Sequence, residues 1–260
     1  MKIRINETML FQSKNNVEFK LLVASDFHYN KKFKLNIFKE LEKIVVDERP
    51  NYLVIPGDLL SSSALNYHNL SEFLEFCSKH NKVIISLGDT DFENRKRNFT
   101  CNLDFFNNLE KKGNIKLFRE NNNHSYRFDD VMFYGYSPNI NPDNSSTKQS
   151  QLFKLGLINY LIGRSVDKKL YNVLLTHDAR SIVKNKEEYQ KYILNDIDLV
   201  ISGNQGLIPL DRYNRLDETI LLSSRGIKSI NQLNIPEVDV IQVKKLIKRM
   251  EEQKNVRPSF

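Results

Sequence analysis

The chain has 260 residues, 40% hydrophobic and 27% charged, which is typical of a soluble globular protein with a substantial core. It has no run of the ~20 apolar residues that span a bilayer, no apolar secretion signal at its start and too few cysteines for a disulfide framework. We therefore expect a cytoplasmic protein without membrane contacts. The net charge of +7 allows a nucleic-acid partner, but the lysines are scattered and do not predict a basic face.

The first long apolar run, Leu21 to Ala24, has the length and composition of a strand buried on both faces. We predict a strand from Phe19 to Ser25, followed at once by Asp26 and His28. In an extended segment two residues that are two apart point to the same side. A carboxylate and an imidazole at the end of a buried strand form a candidate site for a divalent metal. The alternative is a surface turn with a chance Asp-x-His.

Two βα units follow the first strand. We predict an amphipathic helix and then a buried strand, twice, at Phe33 to Val46, Tyr52 to Ile55, Leu70 to Lys79 and Lys82 to Leu87. This alternation indicates a parallel sheet with right-handed crossovers. The three strands are followed by Asp26, Asp58 and Asp89, at the edge where open α/β sheets bind ligands. We therefore expect the three carboxylates to converge, with Gly57 and Gly88 letting the backbone turn sharply beside them.

The remainder of the chain predicts shorter elements and again places polar residues at strand ends. His177 and Asp178 follow one buried strand, and Asn204 and Gln205 come soon after another. Without a linker or a repeat, we expect one domain over residues 1–243 and a charged tail over residues 244–260. The other predicted elements are an edge strand at Lys2 to Ile5, a helix at Leu103 to Lys111, strands in a meander at Ile115 to Phe118, His124 to Phe128 and Met132 to Tyr136, a loop at Pro138 to Ser146, a helix at Gln149 to Ile162, and strands at Asn172 to Thr176, Asp198 to Ser202, Glu218 to Ser223 and Val238 to Val243.

The order of these strand-end motifs resembles that of the calcineurin-like metallophosphoesterases. The resemblance extends from Phe19 to Val243 and implies an α/β fold, a four-layer α-β-β-α sandwich, with a dinuclear metal centre. It implies hydrolysis of phosphoesters by metal-activated hydroxide, on a phosphorylated small molecule or a phosphodiester. The motifs that carry it are Asp-Phe-His at 26–28, Gly-Asp-Leu-Leu at 57–60, Gly-Asp-Thr-Asp at 88–91, Leu-Thr-His-Asp at 175–178, Ser-Gly-Asn-Gln-Gly-Leu-Ile-Pro at 202–209 and Ser-Arg-Gly at 224–226.

The resemblance also implies a set of metal ligands. Asp26 and His28 match ligands of the first metal, and Asp58 matches the carboxylate that bridges both metals. His177 matches a ligand of the second metal. Asp89 stands where the family has an asparagine ligand, and a carboxylate oxygen can take that role. The expected cofactor is one or two divalent ions, such as Mn, Fe, Zn or Mg.

The chain departs from the family at the residues that complete the chemistry. Thr90 stands where the family has a histidine that acts on the leaving group, and a threonine cannot serve as an acid near neutral pH. The family's Gly-His-x-His motif has no histidine here, so we expect water or the amide oxygens of Asn204 or Gln205 to fill the vacant ligand positions. We therefore expect weak or altered hydrolysis or, alternatively, a non-catalytic protein that binds a ligand or partner.

The charges near this site favour the binding of a cation over the binding of phosphate. Three carboxylates leave the site net negative with one divalent ion, so it would hold a cation but attract phosphate poorly. Asp91 and Asp178 are expected to serve as hydrogen-bond partners behind the ligands. Arg95 and Arg97, in a predicted loop near the mouth of the site, are candidates to bind a substrate phosphate or a nucleic-acid backbone. The alternative is a solvated loop.

Overall fold

The computed structural model describes residues 2–12, 17–118, 124–135, 165–177, 196–203, 213–216, 219–224, 227 and 236–245. In these ranges no helix is long and apolar enough to cross a membrane. The strands are β1 (Arg4–Gln12), β2 (Phe19–Val23), β3 (Tyr52–Pro56), β4 (Lys82–Ser86), β5 (Ile115–Phe118), β6 (Ser125–Phe128), β7 (Val131–Gly135), β8 (Tyr171–Thr176), β9 (Leu199–Ser202), β10 (Tyr213–Leu216), β11 (Thr219–Ser223) and β12 (Glu237–Lys245). The helices are α1 (Asn36–Glu48), α2 (His68–His80), α3 (Asp89–Arg97) and α4 (Phe99–Glu110).

The first sheet has the strand order β1-β12-β2-β3-β4-β5. Strands β2, β3, β4 and β5 run parallel to one another, and β12 is antiparallel to β2 and parallel to β1. The parallel core of βα units is therefore confirmed. Its consequence for the site is that the carboxyl ends of β2, β3 and β4 lie side by side at one edge.

The second sheet has the order β10-β11-β9-β8-β7-β6. Strands β7, β8, β9 and β11 are parallel, while the outer pairs β6–β7 and β10–β11 are antiparallel. The predicted meander is wrong, because β5 pairs with β4 in the first sheet and β6 and β7 form a hairpin in the second. The three strands are adjacent in the chain but belong to different layers.

The two sheets stack face to face around a shared apolar layer. Val23, Val54 and Val173 lie in this layer, with no exposed surface. On the opposite face of the first sheet, Leu41 of α1 and Leu74 of α2 belong to a second apolar cluster. Helices thus cover one side of a pair of mixed sheets, which confirms the α/β fold. The helix predicted at Gln149 to Ile162 lies outside the part of the chain that the structure describes.

Some boundaries differ from the predicted ones because strand pairing extends them. β1 is longer than the predicted Lys2 to Ile5 because it pairs with β12 over its full length of nine residues. β12 continues to Lys245, two residues past the predicted domain boundary. β10 was not predicted, since Tyr-Asn-Arg-Leu is too short and polar to form a recognisable apolar run.

Helix α3 replaces the loop that we predicted after Asp91. Its first turn carries two acidic residues and its last turn three basic ones, which complements the helix dipole at both ends. Arg95 and Arg97 therefore lie in the last turn of a helix and not in a loop. The helix lacks an apolar stripe, and its buried residues are Asp91 and Asn94. Polar contacts hold it in place.

Asn94 attaches α3 to the segment that follows β3. Its amide nitrogen donates hydrogen bonds to the carbonyls of Ser61 and Ala64, each at 2.8 Å. Its amide oxygen accepts hydrogen bonds from the Tyr67 hydroxyl and the Asn102 amide, each at 2.9 Å. Both N–H groups of this buried amide are therefore hydrogen-bonded, and its oxygen accepts two hydrogen bonds. These contacts fix α3 against the segment that follows β3 and against α4.

We predict that Asn94→Ala lowers the free energy of unfolding by about 3 kcal/mol, because it leaves buried donors and acceptors unsatisfied. Urea denaturation of the full chain measures this change. The neighbouring Glu93 is exposed, and Glu93→Ala should change stability by less than about 0.5 kcal/mol. Equal effects of the two substitutions would contradict the anchoring role of Asn94.

Candidate metal centre

Asp26, His28 and Asp58 meet at the carboxyl ends of β2 and β3. Each offers one ligand atom, and these three atoms lie within 4.8 Å of one another. His177 follows β8 in the second sheet and reaches the same place, so the site forms where the ends of both sheets meet. The structure thus brings together four of the five residues that the sequence identified as metal ligands.

The carboxylate of Asp58 lies between two imidazoles. Its Oδ2 atom is 3.5 Å from Nε2 of His28 and 3.5 Å from Nε2 of His177. Both separations are within ion-pair distance for a protonated ring and are too long for good hydrogen bonds. Asp58 and His177 are buried, while His28 keeps 19% of its side chain exposed. One side of the site therefore remains open to solvent at His28.

Three of the candidate ligands have a left-handed backbone. The φ angles are 54° for Asp26, 44° for His28 and 52° for Asp58. Our expectation that Asp26 and His28 share a side of an extended strand is therefore wrong, although their side chains do converge. Instead, the two loops pair with each other, through bonds from His28 N to Asp58 O at 2.9 Å and from Asp26 N to Gly57 O at 3.2 Å. Such sparsely populated conformations cluster at functional sites.

Two glycines allow the backbone to approach the ligands closely. Gly57 has a φ of +102°, and a Cβ atom there would collide with the ring of His177. A Cβ atom on Gly88 would collide with the carboxylate of Asp58. The role predicted for both glycines is thus visible in the geometry, since any side chain would displace a candidate ligand.

His177 is oriented by the backbone of β3. Its Nδ1 atom lies 3.1 Å from the carbonyl oxygen of Pro56. Because a carbonyl only accepts, Nδ1 carries the hydrogen, and the neutral ring has its lone pair on Nε2. That Nε2 atom is buried and has no hydrogen-bond partner among the described residues. A buried nitrogen left in this way is suited to a metal ion.

The charged groups shift one another's pKa values. Burial alone would lower the pKa of His177, but the carboxylates of Asp58, Asp26 and Asp89 raise it to about 10. Burial would raise the pKa of Asp58, but the histidines and the amide of Thr90 hold it below its usual value. Burial raises the pKa of Asp26, with His177 acting in the opposite direction. A proton on His177 thus balances the carboxylates, a task that a divalent cation would take over.

The donor set fits a divalent ion. Imidazole nitrogens with carboxylate oxygens suit Mn, Fe and Zn, and the ligand atoms of Asp26, His28 and Asp58 are close enough to share one ion. The orphaned Nε2 of His177 lies 3.5 Å from Oδ2 of Asp58, the same oxygen that Nε2 of His28 approaches. Divalent metal binding is the chemistry that these residues match.

Asp89 lies at the same edge but is exposed, as the first residue of α3. It is close enough to raise the pKa of His177, and its role as a ligand stays a prediction. Asn204, Gln205 and Asp178 lie outside the described residues. Gly203, just before Asn204, packs beside Asp26, since a Cβ atom added there would approach its Oδ2 atom to 2.9 Å. The substitute-ligand role of Asn204 and Gln205 also stays a prediction.

Asp91 braces the loop that carries Asp58. It is 1% exposed and accepts hydrogen bonds from the backbone N–H groups of Leu60 at 2.6 Å, Gly88 at 2.9 Å and Leu59 at 3.2 Å. Burial and the charge of Asp58 raise its pKa to about 7, while the three N–H donors favour its ionised form. This is the hydrogen-bonding role that the sequence predicted for Asp91.

Sequence analysis missed the contacts of Thr90. Its amide donates to Oδ1 of Asp58 at 2.9 Å, and its hydroxyl lies between Leu60 and His28. A hydroxyl residue in the acidic first turn of a helix is the signal that could have pointed to such contacts.

Comparison with known proteins finds a matching family model and solved structures of similar fold. A family model described as calcineurin-like phosphoesterase matches residues 19–205. Similar solved structures include TT1561 from Thermus thermophilus, at 13% identity and a TM-score of 0.50, covering 80% of this chain and 89% of that chain. A dimetal phosphatase from Danio rerio matches at 11% identity and a TM-score of 0.50, covering 80% of this chain and 87% of that chain. At these identities the likeness concerns the fold alone. No curated protein matches the chain.

We predict that Asp91→Asn destabilises the fold by about 2 kcal/mol, because both oxygens of Asp91 accept N–H groups and an amide nitrogen cannot. Equilibrium unfolding in urea measures the change. Asp104 is exposed on α4, and Asp104→Asn is the matched control. An Asp91→Asn protein as stable as this control would show that the loop does not depend on Asp91.

Proposed function

The chain belongs to the calcineurin-like phosphoesterase family, and we propose that it is a metal-dependent phosphoesterase with weak or altered activity. The single observation that carries this proposal is the Asp58 carboxylate, placed 3.5 Å from the Nε2 atoms of two imidazoles at a strand-end edge. The substrate class is a phosphorylated small molecule or a phosphodiester.

Four residues would hold the metal. Asp26, His28 and Asp58 would hold one ion, and His177 with Asp58 would hold a second. A bound divalent ion supplies a Lewis acid that activates water and offsets the charge of the phosphoryl oxygens. The chain itself positions the ligand atoms, through the Pro56 carbonyl at His177 and the Thr90 amide at Asp58.

Protonation of the leaving group is the step that the chain supports least. The Thr90 hydroxyl stands at the family's acid position and already donates to the Leu60 carbonyl at 2.6 Å. Its hydrogen is therefore committed to a backbone acceptor, and a hydroxyl is not an acid near neutral pH. We expect hydrolysis to favour substrates whose leaving groups depart without help from an acid.

Arg95 and Arg97 are candidates to contact phosphates at a distance from the metal ligands. They lie in the last turn of α3, whose N-terminus adjoins the site. Arg97 is eight residues beyond Asp89, which corresponds to about 12 Å along the helix axis. We therefore assign the two arginines to flanking phosphates of an extended phosphodiester, such as a nucleic-acid backbone, and not to the scissile group.

The second candidate function is a non-catalytic protein that retains the fold to bind a ligand or partner. The hydrogen bond from the Thr90 hydroxyl to the Leu60 carbonyl favours this second function, because the residue at the family's acid position contacts the backbone instead. The two candidates differ in what Thr90→His would do. At saturating Mn²⁺, a protein that lacks only the acid should gain turnover from this substitution, whereas a non-catalytic protein should gain none.

We predict that the full chain with Mn²⁺ hydrolyses an activated aryl phosphodiester, and that Asp58→Asn reduces the rate to that without added metal. Release of the nitrophenolate product measures this. Asp104→Asn is the control and should retain the wild-type rate. Equal rates for wild type and Asp58→Asn at every metal concentration would eliminate the catalytic proposal.

We also predict that Mn²⁺ stabilises the wild-type protein. At 100 times its Kd a ligand adds about 2.7 kcal/mol, which would raise the Tm by roughly 5–10 °C for a chain of this size. Asp58→Asn should lose most of this shift because it removes the shared carboxylate. Thermal unfolding with and without metal is the measurement, and an identical Tm in both conditions would contradict a metal site.

A further inference from the structure

Thr90 contacts two candidate ligands and the loop that follows Asp58. Its amide donates to Oδ1 of Asp58 at 2.9 Å, its hydroxyl donates to the Leu60 carbonyl at 2.6 Å, and the same hydroxyl oxygen is 3.3 Å from Nδ1 of His28. Thr90 is the second residue of α3, and Asp91 and Asn94 fix this helix in the core. Thr90 therefore makes these three contacts from a helix that is held in a fixed position.

The direction of each hydrogen bond follows from the chemistry of the partners. The Leu60 carbonyl can only accept, so the single proton of the Thr90 hydroxyl points to it. The oxygen of Thr90 then has only lone pairs left for His28. The contact at Nδ1 is therefore a hydrogen bond only if Nδ1 carries a hydrogen. In a neutral imidazole this puts the lone pair on Nε2, the atom that faces Asp58.

The amide of Thr90 acts on the carboxylate in the same sense. It occupies Oδ1 of Asp58, so the remaining oxygen, Oδ2, is the one directed at both imidazoles. One residue thus fixes the ring of His28 and the rotation of the Asp58 carboxylate. His177 has its own orienting group in the Pro56 carbonyl. His28 has Thr90.

We propose that Thr90 is a positioning residue for metal binding, which holds His28 as the Nδ1–H tautomer with the Nε2 lone pair directed into the site. This inference rests on the proposed metal site. It gives Thr90 a role of its own, the positioning of His28, in addition to its occupying the position of the family's histidine. Hydrogen bonds behind ligating histidines raise metal affinity by about 10–100-fold. The site therefore depends on the Thr90 hydroxyl for cation binding, and not for proton transfer.

The test compares Thr90→Val with Thr90→Ser in the full chain. Valine keeps the shape and the backbone amide but removes the hydroxyl, whereas serine keeps the hydroxyl. We expect Thr90→Val to bind Mn²⁺ about 10–100-fold more weakly by isothermal titration calorimetry, and Thr90→Ser to stay within about threefold of wild type. Thr8→Val, a matched change on β1 away from the site, should bind as wild type.

A second measurement reads the tautomer directly in metal-free protein. Long-range ¹H–¹⁵N correlation of the histidine rings, at a pH where His28 is neutral, should give the Nδ1–H pattern for wild type and Thr90→Ser. Thr90→Val should give a mixture that includes the Nε2–H form. This spectrum does not require metal or activity, and a purely structural role of Thr90 would leave it unchanged.

The outcomes separate this inference from the proposed function. Unchanged affinity and tautomer in Thr90→Val would overturn the inference, and so would a loss in Thr90→Ser as large as that in Thr90→Val. If Asp58→Asn binds Mn²⁺ as tightly as wild type, the proposed metal site fails, and the tautomer spectrum still decides on Thr90. Should Thr90→Val not fold, the Thr90→Ser affinity and the wild-type spectrum supply the decision.

Discussion

The contact of one carboxylate with two imidazoles sets the arrangement of the whole site. Asp58 belongs to the first sheet and His177 to the second, and they meet at 3.5 Å in a buried place where an uncompensated charge is costly. The sheets can approach this closely because Gly57 has no side chain to displace the ring of His177. The distance between the two sheets at this edge and the position of His177 in the site therefore depend on each other.

Helix α3 explains how strained loops can hold such a contact. Asp26, His28 and Asp58 all have a positive φ, and each such residue costs free energy that surrounding structure must offset. Asp91 binds the N–H groups that follow Asp58, and Thr90 fixes the carboxylate itself. The first turn of α3 thus braces the loop that carries Asp58.

The sequence predicted what depends on apolar runs and missed what depends on polar contacts. Asp26, Asp58 and His177 were placed correctly because each follows a buried strand whose composition is unmistakable. Helix α3 was missed because Asn94 and Asp91, and not an apolar stripe, hold it to the core. Its acidic first turn and basic last turn were visible signals. The left-handed backbone of the ligands had no signal, since it arises from pairing between two loops distant in sequence.

The central claim is that Asp58 and its neighbours form a metal site at the strand ends. Crystals of the full chain grown with Mn²⁺ would test it through the anomalous scattering of that ion. We predict an anomalous peak bonded to Asp26, His28 and Asp58, with any second peak between Asp58 and His177. A map with no peak within bonding distance of Asp58, from crystals that contain Mn²⁺ in excess, would contradict it.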